Sequence, residues 1–320
     1  MLTMSTLRLG LAVAALAAAA PETSEPVRPD SRPPEPIELP SPEVVVPFES
    51  VKGRPVVPVR IGEKGPFPFV LDTGAGGTVI EADLARELGL AVLGDARIGD
   101  PIHPHAVAAK QVQVESLSLG DARFSRFAAT AMENSGFSQH LGARGVLGMP
   151  IFAELLLTLD YGKSQVRIAR GDLPSADGKE VLAYAPGAHG TIRVPIMVGT
   201  VGLDADLDSG SPAGLSLLEE YMEKLPLEAK PVEIGRARTI NSEFVIRGAT
   251  LRGALAIGSF RLENPPLRFH ALPPNLGGEL LRRFALTIDQ RNRRIRFHET
   301  DASARAVDSG PPPAAPSTRS

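Results

Sequence analysis

The sequence predicts an all-β fold of two similar lobes. Three observations predict it: a long internal duplication, runs of period-two alternation, and one glycine-rich acid turn in each half. The duplication is the strongest. Val57-Pro58-Val59-Arg60-Ile61-Gly62 matches Val194-Pro195-Ile196-Met197-Val198-Gly199, 137 residues on. Asp72 matches Asp208 at 136, and Leu117 to Gly120 match Leu255 to Gly258 at 138. Leu157-Thr158-Leu159-Asp160 matches Leu286-Thr287-Ile288-Asp289 at 129, as Val166 to Ile168 match Ile295 to Phe297. The blocks keep one order with one sizeable deletion in the second copy. A unit of roughly 120 residues is far longer than a solenoid repeat.

In chain order, the first twenty residues hold one charge, Arg8, before an alanine-rich apolar run ending in Ala17-Ala18-Ala19. This fits a cleaved signal peptide over residues 1–19, with a retained short anchor as the alternative. Residues 20–43 are rich in Pro, Glu, Ser and Arg and read as a solvated linker. The lobes follow at 44–176 and 177–300. Residues 301–320, with Pro311-Pro312-Pro313, read as a disordered tail.

Within each lobe, residues 56–61 and 193–198 carry β-branched residues followed by turn residues. Residues 111–119, 165–168 and 294–297 alternate, so they too read as strands. One short helix per copy is expected. Residues 81–88 place Leu84 and Leu88 four apart before Gly89. Residues 217–225 follow a Ser216-x-x-Glu219 capping box and stop at Pro226.

Composition narrows the function classes. A net charge of −3 gives no bulk attraction for nucleic acid. With no cysteine in the chain, disulfides, thiolate metal sites and a cysteine nucleophile are excluded. An exported chain without cysteine suits a bacterial envelope, periplasmic or extracellular. There is no Gly-x-Ser-x-Gly elbow and no phosphate loop. His103-Pro104-His105 resembles a metal pair but reads as an exposed loop, since no acid or cysteine completes a ligand set. The basic run from Arg291 to Arg296 reads as the solvated face of a hairpin whose Ile295 and Phe297 point inward.

The acid turns carry the chemistry. Phe69-Val70-Leu71 runs into Asp72-Thr73-Gly74-Ala75, and Ala205-Asp206-Leu207 into Asp208-Ser209-Gly210-Ser211. A buried strand that ends on a carboxylate is costly unless the acid is paired or used. Lobes related by a pseudo-twofold axis would bring Asp72 and Asp208 face to face. Two carboxylates in contact share one proton. The ionised member can then take a proton from water while the other polarises a carbonyl.

These motifs resemble the retropepsin-like and pepsin-like aspartic proteases, nearest to their bacterial retropepsin-like members with two fused lobes. The resemblance extends to an apolar-apolar-Gly element, Val146-Leu147-Gly148 in the first lobe and Leu276-Gly277 in the second, where Asn275 replaces an apolar residue. It implies the two-lobed acid-protease fold, each lobe a retropepsin-like β-barrel. It implies hydrolysis of peptide bonds in an extended polypeptide, with Asp72 and Asp208 catalytic and Thr73, Gly74, Ser209 and Gly210 supporting the loops. No cofactor, metal, nucleic acid or stable membrane insertion after signal cleavage is implied, and a monomer suffices because one chain holds both acids. Flaps are expected near residues 94–110 and 233–247, without the pepsin-type flap tyrosine. A third copy of the turn, Val307-Asp308-Ser309-Gly310, lies in the tail and reads as a plain turn. Asp206, two residues before Asp208 where the first lobe has Val70, disturbs the pattern. With Asn275 it motivates the alternative of a catalytically silent peptide-binding envelope protein.

Overall fold

The computed structural model describes residues 33–99, 107–187, 190–238 and 243–300. The segments expected to be signal peptide and tail lie outside the described residues, as do His103, His105 and the third acid turn. The described residues form an all-β protein of two lobes. A nine-stranded sheet belongs to the first lobe and a ten-stranded sheet to the second, while a six-stranded sheet takes strands from both.

The two lobe sheets share a central order because they share a sequence pattern. In the first, Arg54–Ile61 pairs antiparallel with Lys64–Leu71, and Gly145–Leu147 threads between Lys64–Leu71, parallel, and Val79–Glu81, antiparallel. In the second, Ile192–Val198 pairs with Val201–Asp208, and Asn275–Gly277 threads between Val201–Asp208 and Leu215–Leu218 with the same directions. Each threading strand is short and buried at its centre; the first is an apolar run, Gly145-Val146-Leu147, while the second opens on the half-buried Asn275.

The six-stranded sheet joins the halves. Leu156–Asp160 pairs antiparallel with Phe284–Asp289, and Thr158 lies opposite Thr287. These two threonines sit at matching places in the two antiparallel strands, so a local pseudo-twofold axis passes between them. Their hydroxyls are 2.9 Å apart. Leu157, Leu159, Leu286 and Ile288 send their side chains into the continuous core. Each strand ends on a buried aspartate that accepts backbone N–H bonds. Asp160 takes one from Lys163, and Asp289 takes those of Leu173 and Asn292. Such bonds satisfy a buried carboxylate where it caps a tight hairpin.

Three expectations need correction. Residues 33–42 do not behave as a free linker: Pro34 is buried, and Ile37–Glu38 adds antiparallel to Ala122–Met132. Arg126 Nε and Arg170 Nη2 donate to the carbonyls of Glu35 and Ile37. The edge of the first-lobe sheet offers unpaired backbone groups, and a proline-rich segment can still supply a few partners there. The helix expected over 217–225 is instead the strand Leu215–Leu218 followed by a single 3-10 turn, Glu219–Met222. Leu215 and Leu217 point into the core and Ser216 to the opposite face, so period two wins over the capping box. Finally, the first lobe carries an unexpected short helix, Phe137–Leu141, in a connection that is longer than its second-lobe counterpart.

The helix expected over 81–88 is found at Ala82–Glu87. Hairpins occupy both expected flap regions, Val92–Ile98 with Val107–Leu119 and Val232–Arg238 with Glu243–Thr250. The tip of each lies outside the described residues. In the basic run, Ile295 and Phe297 are buried and Arg291 pairs with Asp172 on the surface.

Candidate active site

Asp72 and Asp208 sit at matching strand ends. Lys64–Leu71 buries Phe69, Val70 and Leu71, and the chain then turns. The threading strand fixes that turn, because Asp72 N donates to Leu147 O at 3.0 Å. Gly74 N donates to Asp72 Oδ1, and in the other lobe Ser211 N donates to Asp208 Oδ1, both at 2.8 Å. Glycine closes each threading strand for a steric reason. A Cβ on Gly148 would lie 2.4 Å from Gly77 O, and one on Gly277 would lie 2.4 Å from Ala213 O.

Thr73 and Ser209 lock the two loops together. Thr73 Oγ1 donates to Leu207 O at 2.8 Å and accepts from Ser209 N at 2.9 Å. Ser209 Oγ donates to Leu71 O at 2.7 Å and accepts from Thr73 N at 3.0 Å. Both side chains are fully buried, and every bond crosses between lobes. At about 0.5–1.5 kcal/mol net for each bond, the set outweighs most single contacts between the lobes.

This lock brings the carboxylates together. A Cβ on Gly210 would fall 2.3 Å from Asp72 Oδ2, and one on Gly74 would fall 3.1 Å from Asp208 Cγ. Each glycine therefore lies against the other lobe's acid. The two carboxyls lie close enough for each to act on the other's proton affinity. Burial pushes the Asp208 carboxyl up to about 8, and the neighbouring Asp72 charge pushes the same way. Burial also raises Asp72, but Gly74 N–H, Gly210 N–H, the Arg54 charge and the Asp208 side chain all oppose the rise. The pair therefore favours holding one proton between its two carboxyls, and Asp72 has the richer set of backbone donors.

Arg54 was not singled out from the sequence. Its Nε donates to Gly210 O at 2.6 Å, across the lobe boundary. That carbonyl belongs to the peptide whose N–H, on Ser211, holds Asp208. Arg54 thus orients and polarises one of the dyad's own donors. Burial lowers its pKa, while Asp208 and Asp72 raise it. No local pattern marks this arginine, since its repeat counterpart is Thr191 and its partner is 156 residues away.

Asp206 is engaged on its own sheet. Thr191 Oγ1 donates to Asp206 Oδ1 at 3.1 Å, and Arg193 Nε lies 3.7 Å from the same oxygen. Its effect on Asp208 is the smallest of those acting there. Tyr161 is buried, follows the strand Leu156–Asp160 and lies outside both hairpins. Among the described residues, no group of three or more His, Asp or Glu could hold a metal ion, and no helix is long and apolar enough to cross a membrane.

Comparison with known proteins agrees with this geometry in the first lobe. Residues 57–151, from the strand before the first acid turn through the first threading element, match the family model of aspartyl proteases. The match supports a protease-type function. No curated protein matches the chain. Among solved structures, basic 7S globulin from soybean is similar at 12% identity and a TM-score of 0.48, over 84% of this chain and 98% of that one.

Proposed function

We propose that this chain is an exported aspartic endopeptidase of the bacterial retropepsin-like kind, acting as a monomer on extended polypeptides in the periplasm or outside the cell. The observation that carries the reading is the dyad: two carboxylates, one from each lobe, each lying against the other lobe's acid-turn glycine and fixed by the Thr73–Ser209 lock. Ionised Asp72 takes a proton from a water as its oxygen attacks the peptide carbonyl carbon. Asp208 gives its proton to the carbonyl oxygen, forming a gem-diol. In collapse, Asp72 returns its proton to the leaving nitrogen, and Asp208 recovers one from a diol hydroxyl. The acids end as they began, and the steps call for no covalent intermediate. Export rests on the leader-like residues 1–19.

The alternative, a silent peptide-binding protein, drew on Asp206 and Asn275 as disturbances of the dyad. The bonds of Asp206 to Thr191 and Arg193 weigh against it. The deciding experiment is digestion of a peptide library by the wild type, Asp72→Asn and Asp208→Asn. Each variant is expected to lose activity by at least about 10³-fold while keeping its circular dichroism spectrum. Activity within tenfold of wild type in either variant would overturn the reading.

A further inference from the structure

Strand register places four valines side by side across the first-lobe sheet. Val56 lies opposite Val70, Val70 beside Val146, and Val146 opposite Val79. They form an apolar cluster on which Ala75 of the acid turn, Ile98 of the hairpin and Phe137 of the short helix pack. The row therefore lies next to the acid, under the hairpin. Val70 is two residues before Asp72 and so shares its strand face.

The same four stations in the second lobe are all polar. Arg193 lies opposite Asp206, Asp206 beside Asn275, and Asn275 opposite Ser216. Asp206 stands two residues before Asp208, as Val70 does before Asp72. The cover differs as well. Twelve residues, 133–144, join the strands over the first-lobe row and include the short helix, whereas only residues 271–274 do so in the second.

A polar row on a sheet would ordinarily be a solvated face. Two atoms here argue otherwise. Ser216 is fully buried, and its Oγ has no hydrogen-bond partner. Asn275 Oδ1, one strand away, is also buried without a partner. Leaving buried polar atoms unmet costs about 1–3 kcal/mol each. Beside them, Thr191 and Arg193 both approach Oδ1 of Asp206. Apart from Arg193, which pairs with Asp206, the row offers acceptors: a carboxylate, an amide oxygen and a hydroxyl.

We infer that this row is a side-chain subsite that receives a hydrogen-bond-donating residue of the substrate, such as glutamine or lysine, on one side of the scissile bond. The valine row receives an apolar residue on the other side. The inference rests on the proteolytic reading of the dyad and extends it to specificity.

The test uses matched peptides that hold leucine on one side of the scissile bond and leucine, glutamine or lysine on the other, in both orientations. The wild type should cleave the glutamine or lysine peptides about tenfold faster in kcat/KM than the dileucine peptide, in one orientation only, the worth of roughly one hydrogen bond. The paired change Arg193→Val with Asp206→Val copies Val56 and Val70 into the second lobe and should reverse the preference. Asn275→Val, which copies Val146, is the milder change and should at least erase it. An apolar preference in both orientations, or an unchanged preference in folded variants, overturns the inference. If the wild type cuts no peptide, the proteolytic reading fails by itself. Fluorescence-anisotropy binding of the same peptides then decides: a donor preference supports the subsite, and equal binding overturns it.

Discussion

Asp208 bears the thermodynamic cost of the site. Folding raises its carboxyl to about 8, so the folded chain holds a proton that the unfolded chain releases near the ordinary aspartate value of 3.8. The associated stability is fully present below the unfolded value and is lost as pH rises through 8. Asparagine keeps the neutral shape without that loss. Asp208→Asn should therefore melt higher than wild type at pH 8.5, by at least about 3 °C, with the gap closing at pH 4. Calorimetry at the two pH values checks this, and an equal or lower melting temperature at pH 8.5 would show that folding does not hold the proton. Arg54 acts in the opposite sense. Its cation favours ionised carboxylates, so Arg54→Met should move the alkaline limb of kcat/KM upward by about one pH unit. It should also lower the rate, because Gly210 O loses its anchor. A pH profile on an uncharged peptide separates the two effects, and an unmoved limb would rule out the electrostatic role.

At the scale of elements, legibility followed the range of the determinant. The acid turns, the threading strands and the hairpins were readable because each is fixed by residues a few positions apart: an apolar run, an acid, a glycine. The segment around Ser216 was misread because its local signal and its tertiary signal compete. Ser216-x-x-Glu219 is a sound capping box, but the slot between Asn275–Gly277 and Pro266–His270 demands a strand. The docking of residues 33–42 was missed for a related reason. Composition reports that a proline-rich segment cannot build a core, and it cannot report that an open sheet edge lies within reach. Arg54 was invisible for the most basic reason, since a single cation acquires meaning only from a partner in the other lobe. Asp206 and Asn275 were noticed separately as oddities. Register joins them into one row with Arg193 and Ser216, whose valine counterparts are covered in the first lobe by a helix that the second lacks.

At the scale of the molecule, the matching strand pairings of the two lobes have a consequence that neither lobe carries alone. The pseudo-twofold axis relates Asp72 to Asp208, Thr73 to Ser209, and Thr158 to Thr287, so one symmetry element aligns the dyad, its lock and the middle of the shared sheet. The threonine pair at that middle can be tested directly. Thr158 is buried and Thr287 half-buried, and each hydroxyl has the other 2.9 Å away. Thr158→Val keeps the side-chain shape and strands the Thr287 hydroxyl; Thr287→Val strands that of Thr158. Each single change should cost about 1–2 kcal/mol, while the double change should cost little more than either single one, because no hydroxyl is then left unmet. Denaturant unfolding of the four proteins closes the cycle. A coupling of at least about 0.5 kcal/mol is expected, since the two side chains touch. Additive single costs would mean that the hydroxyls do not support each other, and the sheet would then join the lobes by its backbone and leucine rows alone. A single unfolding transition in all four proteins should accompany the coupling, because strands of both halves lie side by side in this sheet and neither lobe can open without exposing the other's core.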